Sequence, residues 1–497
     1  MSDPAGLLIS GALLYDGSGA PPRRADVCVS ADRVTSIAET GTLEGAATLD
    51  ARGLALAPGF IDVHTHDDFA AVLHPDMGFK VRGGVTTCIV GNCGFAAAPW
   101  SSASLMARAF HPNQTLPEWQ GYAGYLDRLD AEPASVNVGA LVGHGTLRLS
   151  AMGTAARAPS TSEMSAMAAH LHEGLEAGAL GLSTGLVYEP GRHADTSEII
   201  SLAAEMRGSG ALYATHMRNE GPRLLDSVRE AIEIGERAGV PVQISHHKAA
   251  GREAWGLVRD SLRLIEQARE RGLDVHADQY PYTAGSTVLS AIAQNQGFRP
   301  RSGSGLGAVE PASVVIASTA SHPEWEGRSI EHFMELFDLP AQEAAERVLA
   351  DEPGATCVMH SMDENDVQTV MRHPSTMIGS DGIPTLGGKP HPRLYGTFAR
   401  VLGRYARELG LFPLEEAVHR MTGLPAAKFG LEDRGLVREG AFADLVLFDP
   451  DSVIDVGTFE DPNRYPEGIV HVLVNGTPVV RDGEHTGARP GRALRRS

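Results

Sequence analysis

Cysteine is scarce in this chain of 497 residues. The four cysteines, Cys28, Cys88, Cys93 and Cys357, are too few and too widely spaced for a disulfide framework. This scarcity excludes the small disulfide-rich secreted class and predicts reduced thiols. We therefore expect the protein in a reducing compartment, the cytoplasm.

Long hydrophobic runs and net positive charge are also lacking. No apolar run reaches the ~18–20 residues that span a bilayer. The amino terminus, Met-Ser-Asp-Pro-Ala-Gly-Leu-Leu, has neither the basic region nor the apolar stretch of a signal peptide. The formal charge is −20. Nucleic acids and anionic membranes bind basic surfaces, so we expect neither as a partner.

Both ends of the chain have a β-rich texture. Short β-prone runs separated by glycine, proline and aspartate fill residues 7–53 and recur in 443–481. Asn475-Gly476, between two of these runs, is a strong hairpin signal. We predict that residues 1–55 and 421–497 together form one small β-sandwich domain.

The middle of the chain alternates between strand-like and helix-like segments. Helical apolar spacing occurs at 162–177, 224–238 and 261–271. Eight strand-like segments are the number found in a TIM-like (β/α)8 barrel, an α/β fold to which we assign residues 56–420. The segment of about 288–355, with helix-like runs at 327–337 and 341–350, is longer than a barrel loop needs, and we interpret it as an inserted lid subdomain. The strand-like segments are 60–63, 85–90, 136–142, 179–183, 212–215, 240–245, 274–277 and 376–378.

A His-x-His pair follows the first strand-like segment. His64 and His66 come directly after Phe-Ile-Asp-Val, and Asp67 and Asp68 follow them. Residues two apart on a strand point to the same side, so both imidazoles project together at the strand's carboxyl end. That end is the catalytic face of an α/β barrel. Two imidazoles with carboxylates nearby predict a divalent metal site.

Further candidate ligands follow later strands. Cys93 lies in Gly91-Asn-Cys-Gly94, where glycines permit close backbone approach and a thiolate suits zinc. His216 ends another apolar run, and His246-His247 ends the next one. Because neighbouring strand residues point to opposite faces, only one of this pair can face the barrel mouth, and we favour His246. His144 also follows a strand, where it either orients the site or packs against it.

Asp381 ends the last strand-like segment, in Ile-Gly-Ser-Asp-Gly. A carboxylate there can bind metal, act as general base towards a metal-bound water and later protonate the leaving group. Arg393 follows shortly after and is a candidate fork for a substrate carboxylate.

With these residues laid out, the chain resembles the N-acyl-D-amino-acid deacylases (D-aminoacylases) of the amidohydrolase superfamily over nearly its whole length. His-x-His alone indicates only the superfamily, whereas Asn-Cys-Gly with Ser-His-His-Lys is much more specific. The resemblance rests on Pro58-Gly-Phe-Ile-Asp-Val-His-Thr-His-Asp-Asp68, Gly91-Asn-Cys-Gly94, Ala214-Thr-His-Met-Arg218, Ile244-Ser-His-His-Lys248, Tyr280-Pro-Tyr282, Ile378-Gly-Ser-Asp-Gly382, His391-Pro-Arg393, Met421-Thr-Gly-Leu424 and Ala443-Asp-Leu-Val446.

The resemblance implies a zinc centre. Many amidohydrolases bridge two metals with a carbamylated lysine on the fourth strand, but Leu180-Gly-Leu-Ser-Thr-Gly185 contains no lysine. The deacylases place a cysteine thiolate in that role, and Cys93 matches it. The resemblance thus implies one tight zinc site and a second, weaker one that shares Cys93. The tight site takes Cys93, His216 and His246, and the weaker site adds His64, His66 and Asp381.

The implied activity is zinc-assisted hydrolysis of N-acyl-D-amino acids, with Asp381 as the catalytic residue. The family binds the substrate α-carboxylate with an arginine, a lysine, a tyrosine and a serine. Relatives that act on D-glutamate derivatives look to carry an arginine shortly after the serine, whereas residues 291–297 here contain none. We therefore expect neutral or hydrophobic D-amino acids. The matching carboxylate ligands are Arg393, Lys248, Tyr280 and Ser286.

Two other functions compete with this one. A cyclic amidase of the hydantoinase or dihydroorotase type predicts a bridging lysine, which the sequence lacks. A catalytically silent scaffold on the same fold predicts lost ligands, whereas all six are present.

Overall fold

Eight parallel strands form a ring in the middle of the chain. A computed structural model describes residues 6–45, 47–111, 114–299 and 303–496. Neighbouring strands pair in parallel from β1 through to β8, and a parallel bridge between Thr65 and Gly382 joins the last to the first. The strands are β1 (Phe60–Asp62), β2 (Val85–Val90), β3 (Asn137–Ala140, continued by Val142–Gly143), β4 (Gly181–Gly185), β5 (Leu212–His216), β6 (Val242–Ile244), β7 (Val275–Gln279) and β8 (Thr376–Ile378).

Helices connect the strands, and their ends follow local sequence signals. Ser160 caps one helix in a capping box with Glu163, and Gly239 ends another in the left-handed conformation (φ 73°) that glycine adopts readily. The α/β class is therefore confirmed. The helices are Ala70–Leu73, Gly78–Val81, Trp100–Phe110, Gly121–Ala131, His144–Met152, Thr161–Glu176, Thr196–Ala204, Leu224–Ala238, Val258–Glu270, Leu289–Gln294, Ile330–Phe337, Ala341–Asp351, Glu364–Arg372, Arg393–Arg400 (continued by the π-helix Val401–Glu408), Leu414–Met421 and Gly423–Phe429.

Strands from both chain ends form a separate nine-stranded sheet. The two ends meet where Ala55–Pro58 pairs antiparallel with Leu445–Phe448. Asn475 and Gly476, with φ of 47° and 75°, make the predicted hairpin turn between the strands that flank them. The remaining strands of the sheet are Leu7–Leu14, Arg23–Ser30, Arg33–Ala38, Ala47–Asp50, Ile469–Val474, Thr477–Arg481 and Glu484–His485.

Two parts of the segment 421–497 lie outside that sheet. Gly423–Phe429 is helical, and Ala493–Leu494 pairs in parallel with β3 of the ring.

The apolar run before His64 forms two strands rather than one. Ala55–Pro58 belongs to the terminal sheet and Phe60–Asp62 to the ring.

The insertion has its own antiparallel sheet, which the sequence analysis missed. Its strands are Ala284–Val288, Thr356–His360 and Val314–Ser318, so it begins and ends outside the predicted 288–355. The apolar, β-branched run Val314-Val-Ile-Ala was the available signal for the third strand. Among the described residues, no helix is both long and apolar enough to cross a membrane.

Candidate metal centre

The predicted ligands come together at the carboxyl ends of five ring strands. His64 and His66 follow β1, Cys93 follows β2 and His216 is the last residue of β5. His246 and Asp381 lie just beyond β6 and β8 in the same way. Parallel strands place all their carboxyl ends at one rim of the ring, so residues far apart in sequence meet there.

Cys93 occupies the centre of this cluster and is only 3% exposed. Its Sγ lies 3.3 Å from Nε2 of His64. It also lies 3.7 Å from Nδ1 of His216 and 3.6 Å from Nε2 of His246. A tetrahedral zinc ion with bonds of about 2.3 Å to sulfur and 2.0–2.1 Å to nitrogen separates such ligands by about 3.5 Å. The donor types and their spacing therefore fit zinc.

Asp381 faces the cluster from the other side. Its Oδ1 lies 3.5 Å from Nε2 of His64 and 3.3 Å from Nε2 of His66. Its Oδ2 lies 2.8 Å from a guanidinium nitrogen of Arg393. The ligand atoms of His64, Cys93, His246 and Asp381 all lie within 4.8 Å of one another, close enough to hold a metal ion.

The pKa shifts of the cluster favour negative charge on Cys93 and Asp381 and positive charge between them. Burial raises the pKa of the Cys93 thiol, but the charge of His64 and hydrogen bonds with the histidines outweigh burial and hold it well below its usual range. Burial likewise raises the pKa of Asp381, and Arg393 and the histidines hold it well below the ordinary value. Burial lowers the pKa of His66, while Asp381 and Cys93 together raise it to about 9. A thiolate and a carboxylate thus face imidazolium protons, whose place a divalent cation can take.

Two carboxylates behind the histidines were not predicted from the sequence. Glu220 lies 3.0 Å from Nδ1 of His246 and 3.6 Å from Nε2 of His216. Asp278 lies 3.2 Å from Nδ1 of His64 and accepts a 2.8 Å hydrogen bond from the His246 amide. Carboxylates that engage the second ring nitrogen fix the tautomer and orientation of metal-binding histidines.

The four proposed carboxylate ligands lie beside this cluster, next to which there is a cavity of about 180 Å³. Ser286 lines the cavity together with Cys93 and Asp381. Arg393 is 1% exposed, and its Nε and Nη1 atoms are buried without a hydrogen-bond partner among the described residues. Its guanidinium carbon lies 4.4 Å from the centre of the Tyr280 ring.

Lys248 is already engaged. Its Nζ lies 2.6 Å from Oε1 of Glu220 and 2.8 Å from Nδ1 of His246. The Tyr280 hydroxyl contacts Sδ of Met362 at 3.7 Å. Lys248, Tyr280 and Arg393 do not line the cavity, in contrast to Ser286. A substrate carboxylate that reached Lys248 would compete with Glu220 for its ammonium.

The remaining candidates lie away from the centre. His247 contacts the Ser261 hydroxyl at 2.8 Å, and His144 contacts Glu198 at 2.8 Å. Cys88 and Cys357 are buried and, like Cys28, unpaired. Tyr188, which the sequence analysis did not select, lines the cavity and packs edge-to-face against His216, with the ring centres 4.8 Å apart.

Comparison with known proteins decides the family. The sequence model described as the amidohydrolase family matches residues 47–480. A D-aminoacylase from Alcaligenes xylosoxydans xylosoxydans is 43% identical, over 100% of this chain and 99% of that protein. The chain belongs to the D-aminoacylase family of amidohydrolases.

Solved structures of D-aminoacylase family members share the fold. The N-acyl-D-glutamate deacylase of Bordetella bronchiseptica, complexed with zinc and a phosphonate that mimics the tetrahedral intermediate, is 40% identical with a TM-score of 0.89. The match covers 99% of this chain and 100% of that one. A D-aminoacylase studied for its binuclear metal centre, with one-metal activation and second-metal attenuation, is 39% identical over 99% and 100% of the two chains, with a TM-score of 0.89.

Proposed function

We propose that this protein hydrolyses the amide bond of N-acyl-D-amino acids, giving a carboxylate and a free D-amino acid, with zinc held by Cys93, His216 and His246. The observation that carries this proposal is the position of the Cys93 sulfur, which lies at the centre of three histidines with Asp381 on the same rim. The family relationship supports the same activity.

The ligand set defines two halves of the site. The tight half consists of Cys93, His216 and His246, and His64, His66 and Asp381 form a weaker second half that shares Cys93. Zinc bound in such a site lowers the pKa of water towards ~7 and polarises the amide carbonyl.

Asp381 is the catalytic acid–base residue. Its depressed pKa keeps the carboxylate ionised at neutral pH, so it can accept a proton from the attacking water. Oδ1 faces the histidines and Oδ2 is held by Arg393, which leaves Oδ1 to carry the proton to the departing nitrogen. Tyr188 can donate a hydrogen bond into the cavity, since desolvation keeps the pKa of its phenol well above the usual value.

Arg393 anchors the substrate α-carboxylate. A buried guanidinium with two unpartnered nitrogens, Nε and Nη1, is costly, and a substrate carboxylate that accepts a hydrogen bond from either of them reduces that cost. Ser286 lies close by, since its backbone carbonyl is 3.3 Å from Arg393 Nη2. Tyr280 supports the guanidinium from its ring face, and Lys248 adds positive charge. With the carboxylate and the scissile carbonyl both fixed, a mirror-image side chain is directed into the wall, which selects the D-configuration.

The cavity wall favours neutral or hydrophobic side chains. Apart from His66, Cys93 and Asp381 of the centre itself, the described lining residues carry no ionisable side chain other than the neutral Tyr188 phenol. A charged D-glutamate side chain would therefore be desolvated without a partner. The other lining residues are Phe95, Ser286, Thr287, Val288, Ser290, Pro353 and Ile383.

The alternative of a cyclic amidase has less support. That function calls for a bridging lysine on the fourth strand, and β4 (Gly181–Gly185) has none. A silent scaffold is opposed by the complete ligand cluster. We also propose a cytoplasmic location, which the four unpaired cysteines support.

One substrate panel tests this proposal. The zinc-loaded protein should hydrolyse N-acetyl-D-methionine at least about a hundredfold faster, in kcat/KM, than N-acetyl-L-methionine. It should show the same margin over N-acetyl-D-methionine amide, which lacks the free carboxylate. N-acetyl-D-glutamate should be the poorer D-substrate. Equal rates on both enantiomers, or hydrolysis of a hydantoin alone, would overturn the proposed activity. A clear preference for D-glutamate would overturn the side-chain assignment alone.

A further inference from the structure

Lys80 is a fully buried lysine for which the proposed chemistry has no use. It lies in the short helix Gly78–Val81 between β1 and β2, and its side chain is 1% exposed. It does not line the cavity. Burying an ammonium group is costly unless it is paired and hydrogen-bonded, so its partners indicate what it does.

The Lys80 ammonium contacts four side chains. Its Nζ lies 2.7 Å from Oδ2 of Asp62 and 3.3 Å from Oδ2 of Asp67. It donates hydrogen bonds to the hydroxyls of Thr65 (3.0 Å) and Ser380 (2.9 Å). Three of these partners come from the end of β1, and Ser380 comes from the end of β8.

Each of these partners lies within two residues of a proposed metal ligand. Asp62 lies two residues before His64, Thr65 lies between the two histidines, and Asp67 directly follows His66. Ser380 directly precedes Asp381. A displacement of the ammonium group would therefore shift the ligands of the weaker half of the site.

The contact between β1 and β8, which we call the seam, is where this half is assembled. The strands on either side pair in ladders, but β1 and β8 meet through an isolated bridge between Thr65 and Gly382. Two backbone hydrogen bonds cross the seam there, from Asp381 to His64 (2.7 Å) and from His66 to Gly382 (3.0 Å). The short backbone contact leaves side chains to fix the register.

Asp62 completes the side-chain link across the seam. Its carboxylate accepts hydrogen bonds from the amide (2.8 Å) and the hydroxyl (2.6 Å) of Ser380. It also accepts a hydrogen bond from the backbone amide of His64 (3.3 Å). Lys80 and Asp62 therefore bond to residues on both sides of the seam. The residues that they contact there lie within two positions of a proposed metal ligand.

We propose that Lys80 is a positioning residue, whose ammonium holds His64, His66 and Asp381 in register across the seam. The inference rests on the proposed function for its kinetic consequence, but not for its consequence for metal binding. Partners behind a metal site typically change metal affinity or activity by about 10–100-fold when they are removed. If Lys80 only stabilised the core, its removal would lower stability and leave the second metal site and kcat of the folded enzyme unchanged.

The test compares two buried lysines. K80M removes the charge at the seam. The matched control K428M removes another buried lysine, whose Nζ pairs with Asp274 at 3.0 Å just before the amino end of β7, the end opposite the ligands. Enzyme loaded with one zinc per chain is titrated with further zinc, and kcat and KM are measured on N-acetyl-D-methionine. K80M should raise the Kd of the second ion and lower kcat, each by at least about tenfold, with KM within about threefold. K428M should leave all three within about twofold, whatever its effect on Tm.

A conservative pair keeps the test decisive if K80M does not fold. S380A removes one link across the seam and keeps the charges, and should weaken the second ion and kcat by a smaller factor. K80R keeps the charge and should recover part of what K80M loses.

Three results would overturn the positioning role: a K80M enzyme with normal second-ion affinity and normal kcat, an effect of K428M equal to that of K80M, or a wild-type enzyme that binds no second zinc at millimolar concentration. If wild-type enzyme hydrolyses no N-acetyl-D-amino acid but K80M still weakens the second ion, the proposed function fails and the role of Lys80 stands.

Discussion

Three of the six proposed ligands have a left-handed backbone. Cys93, His246 and Asp381 have φ of 54°, 36° and 49°, values that non-glycine residues rarely adopt. Such conformations cost of order 1 kcal/mol or more each and persist only where the surroundings enforce them. At each position the chain leaves a strand and turns sharply, which directs the side chain towards the centre of the ring. The local strain is thus a consequence of gathering ligands from several strands.

The convergence of the proposed ligands could be predicted from the sequence, but the groups behind them could not. His64, His66, Cys93, His216 and Asp381 each lie at or shortly after the end of a strand, and strand ends meet at one rim. Glu220 and Asp278 act on the far side of the histidine rings, and that contact depends on how each ring is rotated. The position of Glu220, four residues after His216, was the one available signal.

Cys93 should be required for zinc binding. Replacing it with alanine removes the thiolate that lies between His64, His216 and His246. C93A should therefore retain less than one zinc per chain and lose activity by about a thousandfold or more, since both zinc and the protonation pattern around it depend on that sulfur. Elemental analysis of the purified protein and the rate on N-acetyl-D-methionine check this.

Cys357 provides the matched control. It is equally buried, but it lies in the inserted sheet, where burial raises the pKa of its thiol to about 12. C357A should keep full zinc content and activity within about twofold, with only the stability loss of a small core truncation. Full zinc content in C93A would contradict the ligand assignment.

At the scale of elements, the ends of the three strongly periodic helices were predicted to within three residues, whereas the inserted sheet was not predicted. The amphipathic helix Leu224–Ala238 begins and ends where the sequence placed it, because its apolar spacing and Gly239 agree. The inserted sheet was missed because its strands are separated by long stretches, and pairing between distant strands leaves no local signal. Local patterns therefore predict elements well and their partners poorly.

The helix Gly423–Phe429 carries a titratable group that should affect stability at alkaline pH. Burial lowers the pKa of Lys428 to about 8, and Asp274 offsets only part of that effect because its side chain is 49% exposed. The unfolded chain keeps the ordinary value near 10.5. Below pH 8 both states carry the proton, and the cost of burying the charge is fully present. Between about pH 8 and 10.5 the unfolded state binds more protons, so the contribution of Lys428 to stability rises with pH.

K428M isolates this effect from the other groups that titrate in the same range. The free energy of unfolding of wild type minus that of K428M should increase by about 2–3 kcal/mol between pH 7.5 and 10.5. Urea unfolding of both proteins at several pH values measures the difference. A difference that stays constant or falls would show that Lys428 is not buried as a destabilised charge.

At the scale of the whole molecule, both chain ends build the terminal sheet, and the carboxyl-terminal end also pairs with the ring. The β-rich ends were evident from composition, but the return of Ala493–Leu494 to β3 was not, because a two-residue strand has no recognisable pattern. Asn137 links these parts, since its side-chain oxygen accepts hydrogen bonds from Asn475 (2.8 Å) and from the Arg492 amide (3.1 Å). The last residues therefore connect the sheet of the termini to the ring.

Removing residues 488–497 should weaken this connection without changing the chemistry. The segment pairs with the amino half of β3, at Val138 and Gly139, away from the carboxyl ends where the ligands lie. Its loss removes backbone hydrogen bonds worth about 1 kcal/mol each, so the half-life at an inactivating temperature should fall by about tenfold or more. R495A, which removes only the exposed ion pairs with Asp127 and Asp130, should change the half-life by less than about threefold.

At 25 °C both variants should keep kcat and KM within about twofold. A comparable loss of kcat on truncation would place the chain end in the construction of the active site, and an unchanged half-life would mean that the pairing with β3 contributes no measurable stability.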